Sequence, residues 1–582
     1  MQTPLLLDLT ADVCGDRKAL GTLADGLDFA AMRGNARAAA AWLAESNAQN
    51  AVFVGLNGNA LPILMFASGM AGLSFVPVNY RLPDADLRKL IARTAPSLVV
   101  VDDDMHVRID GIDGTTLVKR SEFEARFLVA APAETEPLSE GENDIAVLLF
   151  TSGTTGDPKA AVLRHANLTS YVMSTVELLG ADEDEAALVS VPPYHIAGIS
   201  AVLTSAYGGR RIVYLPAFSA EEWVSIASRE AITHAMVVPT MLDRILDVLA
   251  KTGERLPALR ALSYGGGRMP EPVIARALEA LPHVDFVNAY GLTETSSTVA
   301  LLGADDHRTA IASDDPLVRR RLGSVGKPLP SLELEIRQDD GSCCDAEETG
   351  EIYVRGDQVS GEYLHKTAIA DDGWFATNDA GWLDADGYLF VEGRLDDVIV
   401  RGGENISPGE IEDVLRSHPQ VADVAVLGLP SVQWGEKVAA VIVAREGPRD
   451  VDALAAHVKA LLRSTKTPES WFFRDALPYN ETGKLLRRVL QNFLTNAFRY
   501  AKGPVLLGVR RRGDSLSLEV WDRGPGIPRD KQQVIFEEFK RLDSHQTRAE
   551  KGLGLGLAIA DGLCRVLGHP LQVRSWPGKG SV

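Results

Sequence analysis

Between residues 50 and 300, short runs of β-branched and apolar residues alternate with longer segments of helical periodicity. The predicted strands are 51–56, 98–101, 145–150, 187–191, 211–215 and 235–238, and a helix is predicted over 36–46. Strands that alternate with helices are joined by crossover connections, which favour parallel pairing. The pattern therefore predicts an α/β body in which helices cover largely parallel sheets.

After Gly350 the pattern changes to closely spaced strands separated by glycine turns. The stretches EIYVRG (351–356) and GYLFVEGRLDDVIVRGGENI (387–406) have this character and predict a β-rich lobe. A smaller α+β section is predicted over residues 397–487, and the pattern changes again from residue 488. Because 582 residues are too many for a single core, several domains are expected.

Composition excludes several classes of protein. No segment approaches the roughly 18 uncharged apolar residues of a membrane span, and the amino terminus has no basic segment ahead of its apolar run, unlike a secretory signal. The four cysteines have neither the number nor the spacing of a disulfide framework or a CxxC metal site. The net charge of −20 disfavours nucleic acid as a partner. We therefore expect a cytoplasmic protein.

The stretch FTSGTTGDPK (150–159) follows the predicted strand at 145–150. Its small residues leave backbone N–H groups accessible, its hydroxyls add hydrogen-bond donors, and Lys159 adds a positive charge. The stretch is not the P-loop pattern GxxxxGK[ST], because Pro158 precedes the lysine and Ala160 follows it. The residues alone predict a cradle for nucleotide phosphates, with a plain surface loop as the alternative.

FTSGTTGDPK also closely resembles the signature of the adenylate-forming superfamily, which includes acyl-CoA synthetases, luciferases and the adenylation domains of peptide synthetases. Later segments resemble the successive blocks of that superfamily in the same order: VPPYHIAG (191–198), SYGGGRMP (263–270), NAYGLTET (288–295), WFATNDAGWLDADGYLFVEGRLDDVIVRGGENISPGEIE (374–412) and PYNETGKLLRR (478–488). Residues 1–487 are thereby identified as a member of the superfamily. The resemblance implies a large N-terminal domain over 1–395 and a small mobile lobe over 396–487.

The resemblance also implies which residues bind ATP and AMP. They are Thr151, Ser152, Gly153, Thr154, Thr155, Gly156, Lys159, Gly265, Gly266, Asn288, Tyr290, Gly291, Thr293, Asp379 and Arg394. Within this set, Tyr290 is expected to stack on adenine and Thr293 to contact the α-phosphate, while Asp379 and Arg394 are expected to contact the ribose. Asn378 departs from the glycine that many members carry before the ribose-binding aspartate, which alters backbone freedom but not the carboxylate.

Catalytic roles are implied for Lys484, His195, Thr151 and Glu294. Glu294 is the expected magnesium ligand, and Lys484 is the lysine that reaches into the active site during adenylation. The remaining implied sites are the acyl pocket at His195, Gly265 and Gly267, the hinge at Asp396, and the pantetheine tunnel at Gly402 and Gly403.

The implied activity is ATP-dependent ligation of a carboxylic acid to coenzyme A. A carboxylate is a poor acyl donor, so its attack on the α-phosphate of ATP first forms an acyl-adenylate and releases pyrophosphate; a thiol then displaces AMP. Two anions must meet in the first step, and magnesium at Glu294 together with Lys484 would offset their charge. The resemblance implies that the mobile lobe rotates about Asp396 between the two steps. The sequence resembles ligases for fatty or aryl acids, and its glycine content does not choose between them.

Residues 488–582 resemble a different family, the α/β-sandwich ATP-binding domain of sensor histidine kinases and related ATPases. The matching boxes are LQNFLTNAFRYA (490–501), VWDRGPGIP (520–528), IFEEFKRL (535–542) and KGLGLGLAIADGLCRVLG (551–568). They imply a second ATP-like site, with Asn496 as a magnesium ligand, at Asn496, Asp522, Gly524, Gly526, Gly552, Gly554 and Gly556. No histidine lies in a phospho-acceptor context, and the strand and helix that usually precede the asparagine box are missing. We therefore predict a partial domain without autokinase activity.

Other interpretations stay open at this point. The kinase-type segment could be the functional module of a hybrid signalling protein, or the seam at residue 488 could be a joint between unrelated sequences. An external carrier protein could replace coenzyme A as the acyl acceptor. Oxidation of a luciferin-like adenylate would use the same fold, and the oligomeric state is not fixed by the sequence.

Overall fold

The protein is described by a computed structural model over residues 1–132, 135, 144–151, 158–402, 404–431, 433–445, 449–479, 485, 487, 490–491, 506–512, 515–521, 526–532, 534–536, 557, 561, 571–577 and 580–582. The described residues divide into two compact units. The first unit contains most of the chain up to Phe390, and the second contains Pro158, Asn378–Gly381 and the described residues from Val391 onward. The chain passes between the units within two strands, 375–383 and 389–394.

The α-helices of the described residues are α1 (Pro4–Cys14), α2 (Phe29–Ala44), α3 (Ala60–Met70), α4 (Asp84–Ala92), α5 (His106–Ile109), α6 (Arg120–Phe127), α7 (His165–Thr175), α8 (Ile196–Gly208), α9 (Ala220–Arg229), α10 (Pro239–Thr252), α11 (Glu271–Ala280), α12 (Ala304–Ala312), α13 (Pro316–Arg319), α14 (Pro408–Arg416) and α15 (Val451–Leu461).

The strands are β1 (Lys18–Leu20), β2 (Leu27–Asp28), β3 (Asn50–Val54), β4 (Ser74–Pro77), β5 (Ser97–Val101), β6 (Thr115–Lys119), β7 (Ile145–Thr151), β8 (Lys159–Arg164), β9 (Ala186–Val189), β10 (Arg211–Tyr214), β11 (His234–Val237), β12 (Ala261–Gly265), β13 (Asp285–Leu292), β14 (Ser297–Leu302), β15 (Lys327–Pro328), β16 (Glu333–Arg337), β17 (Gly350–Arg355), β18 (Glu362–Tyr363), β19 (Lys366–Thr367), β20 (Phe375–Leu383), β21 (Leu389–Arg394), β22 (Ile399–Arg401), β23 (Glu404–Ile406), β24 (Val421–Ser431), β25 (Gly435–Ala444), β26 (Ser470–Arg474), β27 (Leu506–Arg512), β28 (Ser515–Trp521), β29 (Ser575–Trp576) and β30 (Gly580–Ser581).

Two large sheets form the first unit. One has nine strands in the order β15-β14-β13-β12-β11-β9-β10-β1-β2, and its centre, from β13 to β10, is parallel. The other has eight strands in the order β19-β18-β8-β7-β4-β3-β5-β6, in which β7, β4, β3, β5 and β6 are parallel. The predicted largely parallel α/β body is therefore confirmed.

Three apolar cores lie between the layers of sheet and helix in this unit. Alternate residues of β3 show the division, because Phe53 packs in a central core shared with α1, α2, α3 and α8 while Val52 and Val54 pack in an outer core with α4. The central core also contains Val189 and Ile212 of the nine-stranded sheet, whose other face packs against α9, α10 and α11. The unit is thus built as helix, sheet, helix, sheet, helix, and strands buried on both faces account for the continuous apolar runs in the sequence.

The predicted β-rich lobe is also confirmed. From β17 to β23, the described residues form strands, turns and one 3-10 turn at Leu395–Asp397 without an α-helix. β16 and β17 pair antiparallel, with Ile336 opposite Ile352.

The second unit is built around a five-stranded sheet, as the predicted α+β section requires. Its order is β23-β22-β25-β24, with β26 parallel to β25 on the other side. One face packs against α14 and α15, and the other buries Leu427, Leu477 and Leu490. Further along, β27 pairs with β28 and β29 pairs with β30, in both cases antiparallel. In the described parts of both units, no helix is long and apolar enough to cross a membrane.

Candidate active site

The strand order of the nine-stranded sheet reverses at β9. The chain leaves β9 for β10 on one side and then returns to β11 on the other side. At such a reversal the connections diverge, which leaves a crevice outside the carboxyl ends of the parallel strands. His195 follows the carboxyl end of β9, Gly265 is the last residue of β12, and the 3-10 turn Thr293–Thr295 directly follows β13. Several of the predicted site residues therefore meet at one edge of this sheet.

His195 lies immediately before α8, with its imidazole 4.8 Å from the ring centroid of Tyr194. The side chain keeps some exposure, but the protein is dense around it, and this burial lowers the pKa of His195 to about 4. The imidazole is neutral at pH 7 and can donate or accept a hydrogen bond, but it supplies no positive charge.

Gly265 lies where β12 and β13 approach closely. A Cβ at this position would be 2.3 Å from the carbonyl oxygen of Ala289 on β13, so no larger residue fits. The next two glycines, Gly266 and Gly267, are exposed. Strand packing thus gives a structural reason for the first of the three glycines, in addition to the predicted acyl pocket.

On β13, Asn288 and Tyr290 have different environments. The Asn288 side chain is buried, and its Nδ2 donates to the carbonyl oxygen of Ser324 at 2.9 Å. Tyr290 is half-buried, and the register of β13 against β14 shifts between Tyr290 and Gly291. Asn288 therefore holds the β13 backbone in place, while Tyr290 keeps a partly accessible ring, as stacking requires.

The turn that carries Thr293 and Glu294 is fixed by hydrogen bonds around Thr295. The fully buried Thr295 hydroxyl accepts from the backbone N–H of Leu292 at 3.0 Å and lies 2.9 Å from the carbonyl oxygen of Ser297. Nε2 of the buried Gln358 donates to the carbonyl oxygens of Thr295 and Thr298, at 3.0 and 2.8 Å. The turn therefore has little freedom to move.

Two residues after this turn have unusual backbone conformations. Ser296 has φ 55° and Ser297 has φ 116°, values that side-chain-bearing residues rarely adopt. Ser297 Oγ donates to Ser200 Oγ of α8 at 3.3 Å, which joins the Glu294 turn to the helix that begins after His195. Strained backbone of this kind persists where the surrounding structure holds it, often at functional sites.

The Glu294 carboxylate accepts a hydrogen bond from the hydroxyl of Tyr363 at 2.7 Å. The Nζ of Lys159 lies 5.6 Å from the centroid of the same tyrosine ring. Lys159 opens β8 opposite Thr151, the last residue of β7. The predicted phosphate loop thus falls in sequence between β7 and β8, and its flanking lysine lies over the ring of the tyrosine that contacts the predicted magnesium ligand.

One carboxylate with a fixed orientation suits magnesium that is shared with nucleotide phosphates. Magnesium usually keeps several waters and takes one or two carboxylates plus substrate phosphates, not a cage of protein ligands. Among the described residues, no group of three or more His, Cys, Asp or Glu side chains could hold a metal by itself. Glu294 therefore fits the expected use of the metal with ATP.

In the second unit, the two predicted ribose contacts form an ion pair. Nε of Arg394 lies 3.0 Å from Oδ1 of Asp379, whose side chain is only 8% exposed against 34% for the arginine. Asn378, at the position where the superfamily resemblance leads us to expect glycine, has φ 58°. This left-handed conformation explains the glycine, and asparagine is among the residues that tolerate it best.

The predicted hinge residue Asp396 and the predicted tunnel residue Gly402 follow β21 and precede β23 in the chain. Asp396 belongs to the 3-10 turn Leu395–Asp397 that precedes β22. Gly402 has φ 60°, its N–H donates to the carbonyl oxygen of Trp434 at 2.7 Å, and a Cβ there would lie 3.0 Å from the indole. Backbone conformation and close approach both require glycine at 402.

Lys484 lies outside the described residues, but next to it Leu485 forms an antiparallel bridge with Tyr479. Beyond it, Arg487 Nη2 lies 2.5 Å from Glu412 Oε1, and both side chains are largely buried. Leu490 is 1% exposed in the core beneath β24 and β25, and Gln491 Nε2 donates to the carbonyl oxygen of Gly428 at 3.2 Å. Residues as far as 491 thus contact this lobe.

Of the residues predicted for a second ATP-like site, Gly526 lies in the described part of the chain. Its φ is 68°, and a Cβ would lie 2.1 Å from the carbonyl oxygen of Trp576. β28 ends at Trp521, directly before Asp522. The predicted site residues outside the described part of the chain are Ser152, Gly153, Thr154, Thr155, Gly156, Gly403, Lys484, Asn496, Asp522, Gly524, Gly552, Gly554 and Gly556.

Sequence reasoning missed Tyr363, Gln358 and the structural role of Thr295. Tyr363 and Gln358 belong to GDQVSGEY (356–363), a stretch to which no block was assigned. The available signal was a tyrosine and a glutamine close to a polar strand end, which is too weak to single them out without the fold. Thr295 lay inside a recognised block, but the buried hydroxyl was not expected to organise the turn.

Comparison with protein families matches three stretches of the chain. Residues 7–364 match the AMP-binding enzyme family, and residues 410–484 match the AMP-binding enzyme C-terminal domain. Residues 481–582 match the family of histidine kinase-, DNA gyrase B- and HSP90-like ATPases. Both sequence-based recognitions are confirmed. The match to the ATPase family begins at residue 481, inside the last block of the AMP-binding enzyme (478–488).

Individual relatives agree with the larger match. A 2-succinylbenzoate–CoA ligase of Bacillus licheniformis is 34% identical over 76% of this chain and 89% of its own length. A feruloyl-CoA synthase of Amycolatopsis is 32% identical over 81% of this chain and 91% of its own length. Among solved structures, the o-succinylbenzoate–CoA synthetase of Bacillus subtilis with its acyl-adenylate has a TM-score of 0.72 and 29% identity, covering 84% of this chain and 98% of that one. The same enzyme has been solved with ATP and magnesium, at a TM-score of 0.71. The chain therefore belongs to the AMP-binding enzyme family and is an adenylate-forming acid–CoA ligase.

Proposed function

We propose that the protein activates a fatty or aryl carboxylic acid as its acyl-adenylate and transfers the acyl group to coenzyme A. The observation that carries the proposal is the convergence of His195, Gly265 and the turn Thr293–Thr295 on one edge of the nine-stranded sheet, where the strand order reverses. This crevice is where the fold offers a site for a nucleotide and an acid together.

In the first step, the substrate carboxylate attacks the α-phosphate and pyrophosphate leaves. Thr293 would donate to the α-phosphate, and Lys159 and Lys484 would reduce the repulsion between the two anions. Glu294 would hold magnesium, which when bound neutralises charge on the polyphosphate. Tyr290 would stack on adenine, and the paired Asp379 and Arg394 would contact the ribose.

His195 would contact the acyl group as a neutral imidazole. Because burial lowers its pKa to about 4, it can orient a carboxylate oxygen by hydrogen bonding without forming an ion pair at pH 7. An uncharged partner leaves the carboxylate free to act as the nucleophile. In the second step, the coenzyme A thiol attacks the adenylate carbonyl and AMP leaves, with Gly402 and Gly403 beside the pantetheine arm and rotation occurring about Asp396.

Relatives suggest which acids to test first. The two relatives above are named for 2-succinylbenzoate and ferulate, and two further relatives are named for indoleacetate and long-chain fatty acids. A panel of these four acid types spans the aryl and fatty alternatives. An acyl carrier protein should be compared with coenzyme A as the acceptor.

The test is pyrophosphate release from ATP and magnesium with each acid, with and without coenzyme A, for the native chain and Lys484→Ala. We expect release that depends on one acid class and falls by at least about 100-fold in the variant, since a lost transition-state charge contact costs about that much. Release that is independent of the acid, or unchanged in Lys484→Ala, would contradict the proposal.

A second candidate function, ATP binding by the C-terminal segment, is favoured by the family match over residues 481–582. Here the expected adenine-reading residue is Asp522, and no autokinase activity is proposed. The test is the stoichiometry of ATP binding to the full chain and to Asp522→Asn. Two sites that become one in the variant would support this function, whereas one site in both proteins would contradict it.

The position of this segment after Lys484 affects the two half-reactions differently. Thioester formation requires the large rotation of the mobile lobe, while adenylation does not. We expect a chain that ends after Gln491 to form the adenylate at the rate of the full chain and to form the thioester faster. Equal changes in both half-reactions would contradict this expectation.

A further inference from the structure

We infer that Tyr363 is a positioning residue that orients the Glu294 carboxylate as a magnesium ligand. The inference rests on the proposed function, because it takes Glu294 as the ligand. It adds a residue that lies on a different strand and outside every block by which the chain was recognised.

The contact between the two side chains is short and directional. The Tyr363 hydroxyl donates to Oε1 of Glu294 at 2.7 Å, the length of a good hydrogen bond to a charged acceptor. A glutamate side chain has several rotatable bonds, and magnesium demands nearly ideal octahedral geometry. A donor that holds one carboxylate oxygen therefore limits the orientations that the metal must otherwise select.

The same short segment also holds the backbone of Glu294. The N–H groups of Ser360 and Gly361 donate to the carbonyl oxygen of Glu294, at 2.8 and 3.1 Å. Tyr363 itself lies on β18, where it pairs with Ala161 of β8. Glu294 is thus held at its backbone and at its carboxylate by residues 360–363, and that segment is fixed to the eight-stranded sheet.

Lys159 contacts the ring of the same tyrosine. Its ammonium group lies 5.6 Å from the ring centroid, a distance at which a cation is attracted to the ring face. Because Lys159 follows the predicted phosphate loop, Tyr363 contacts both a group expected to bind phosphate and the expected metal ligand. Tyr363 is therefore placed to hold Lys159 and Glu294 in a fixed arrangement.

The test compares Tyr363→Phe with a matched control, Tyr353→Phe, in the full chain. The Tyr353 hydroxyl also donates to a glutamate, Glu351 Oε2 at 3.1 Å, but on β17 of the four-stranded sheet, whereas Tyr363 lies on β18 of the eight-stranded one. Manganese binding is measured by electron paramagnetic resonance in the presence of a non-hydrolysable ATP analogue. The part of the binding that is lost in Glu294→Gln defines the signal, which separates this site from any metal held by the C-terminal segment.

We expect Tyr363→Phe to weaken this manganese binding by about 10-fold, as loss of a partner behind a metal ligand commonly does. Binding of AMP without metal, measured by calorimetry, should stay within about twofold of the native value, and Tyr353→Phe should change neither. In pyrophosphate release, the half-saturating magnesium concentration should rise while the rate at saturating magnesium is nearly retained.

Equal manganese affinity in the two tyrosine variants would overturn the inference, as would equal weakening of metal and AMP binding in Tyr363→Phe. No loss of binding in Glu294→Gln would also overturn it, because Glu294 would not be the ligand. Failure of the proposed function is a separate result: the native chain would then bind manganese with the nucleotide but release no pyrophosphate with any acid.

Discussion

Nε of Arg394 lies 3.0 Å from Oδ1 of Asp379, and the aspartate is almost fully buried. A buried carboxylate that loses a charged partner retains the cost of its desolvation. Two residues that the sequence predicts as separate ribose contacts are therefore coupled to each other. Changing either should affect both nucleotide affinity and the stability of the second unit.

We expect Arg394→Gln to lower the free energy of unfolding by about 1 to 3 kcal/mol, because Asp379 loses this partner. Arg394→Lys should cost less, since it keeps the charge but loses the planar geometry. Chemical denaturation gives the first quantity, and calorimetric titration with AMP should show weaker binding in the same order. Native-like stability and affinity in Arg394→Gln would contradict the coupling.

Leu490 lies beyond the predicted lobe boundary at 487, yet it is 1% exposed in the lobe core. Truncation to alanine should lower the free energy of unfolding by about 2 to 4 kcal/mol through lost burial and a cavity. Leu461→Ala, at a position 58% exposed in the same lobe, is the matched control and should change stability by less than about 0.5 kcal/mol. Similar effects of the two substitutions would show that Leu490 does not belong to this core.

Ser296 has φ 55°, and its buried hydroxyl has no hydrogen-bond partner in the described part of the structure. Glycine relieves the backbone conformation, so Ser296→Gly should be more stable than Ser296→Ala by about 1 kcal/mol. Both variants remove the hydroxyl, and their difference therefore isolates the backbone term. Thermal unfolding in the presence of AMP measures it, and equal stability of the two variants would argue against strain at this turn.

The stability of the protein should fall as the pH drops from about 6.5 to about 4. Burial lowers the pKa of His165 to about 4, and its Nδ1 accepts the backbone N–H of Thr3 at 3.1 Å. Because the pKa is higher in the unfolded chain, unfolding takes up a proton in this range. The loss from this group is at most about 3 kcal/mol at the acidic end.

His165→Asn keeps a side-chain acceptor for the Thr3 N–H but cannot titrate. Its unfolding free energy should therefore depend less steeply on pH between about 4 and 6.5 than that of the native chain. Denaturant titrations at several pH values compare the two slopes. Identical slopes would mean that His165 does not contribute to acid destabilisation.

The architecture of the first unit could be predicted because its strands are buried on both faces. Val52, Phe53 and Val54 give a continuous apolar run, which is typical of a parallel sheet, and helical periodicity between such runs predicts the crossovers. The recognised blocks likewise include Glu294 and Gly265, and the structure places both at the carboxyl ends of neighbouring strands, where the prediction puts the site.

Other parts of the site depend on contacts that sequence spacing does not reveal. Tyr363 lies 69 residues from Glu294 and meets it only because β18 joins β8. The lowered pKa of His195 follows from the protein packed around it, and nothing in VPPYHIAG indicates that packing. The sequence assigns Leu490 to the first kinase-type box, because an apolar residue in a helical pattern fits that domain as well as it fits the ligase lobe.

The most direct test of the two-step reaction is mass spectrometry of the products. The protein is incubated with ATP, magnesium and an acid that supports pyrophosphate release, first without coenzyme A and then after coenzyme A is added. The account predicts an acyl-adenylate and pyrophosphate in the first phase, and conversion of the adenylate to acyl-CoA and AMP in the second. Formation of ADP and phosphate, with no adenylate at any time, would contradict it.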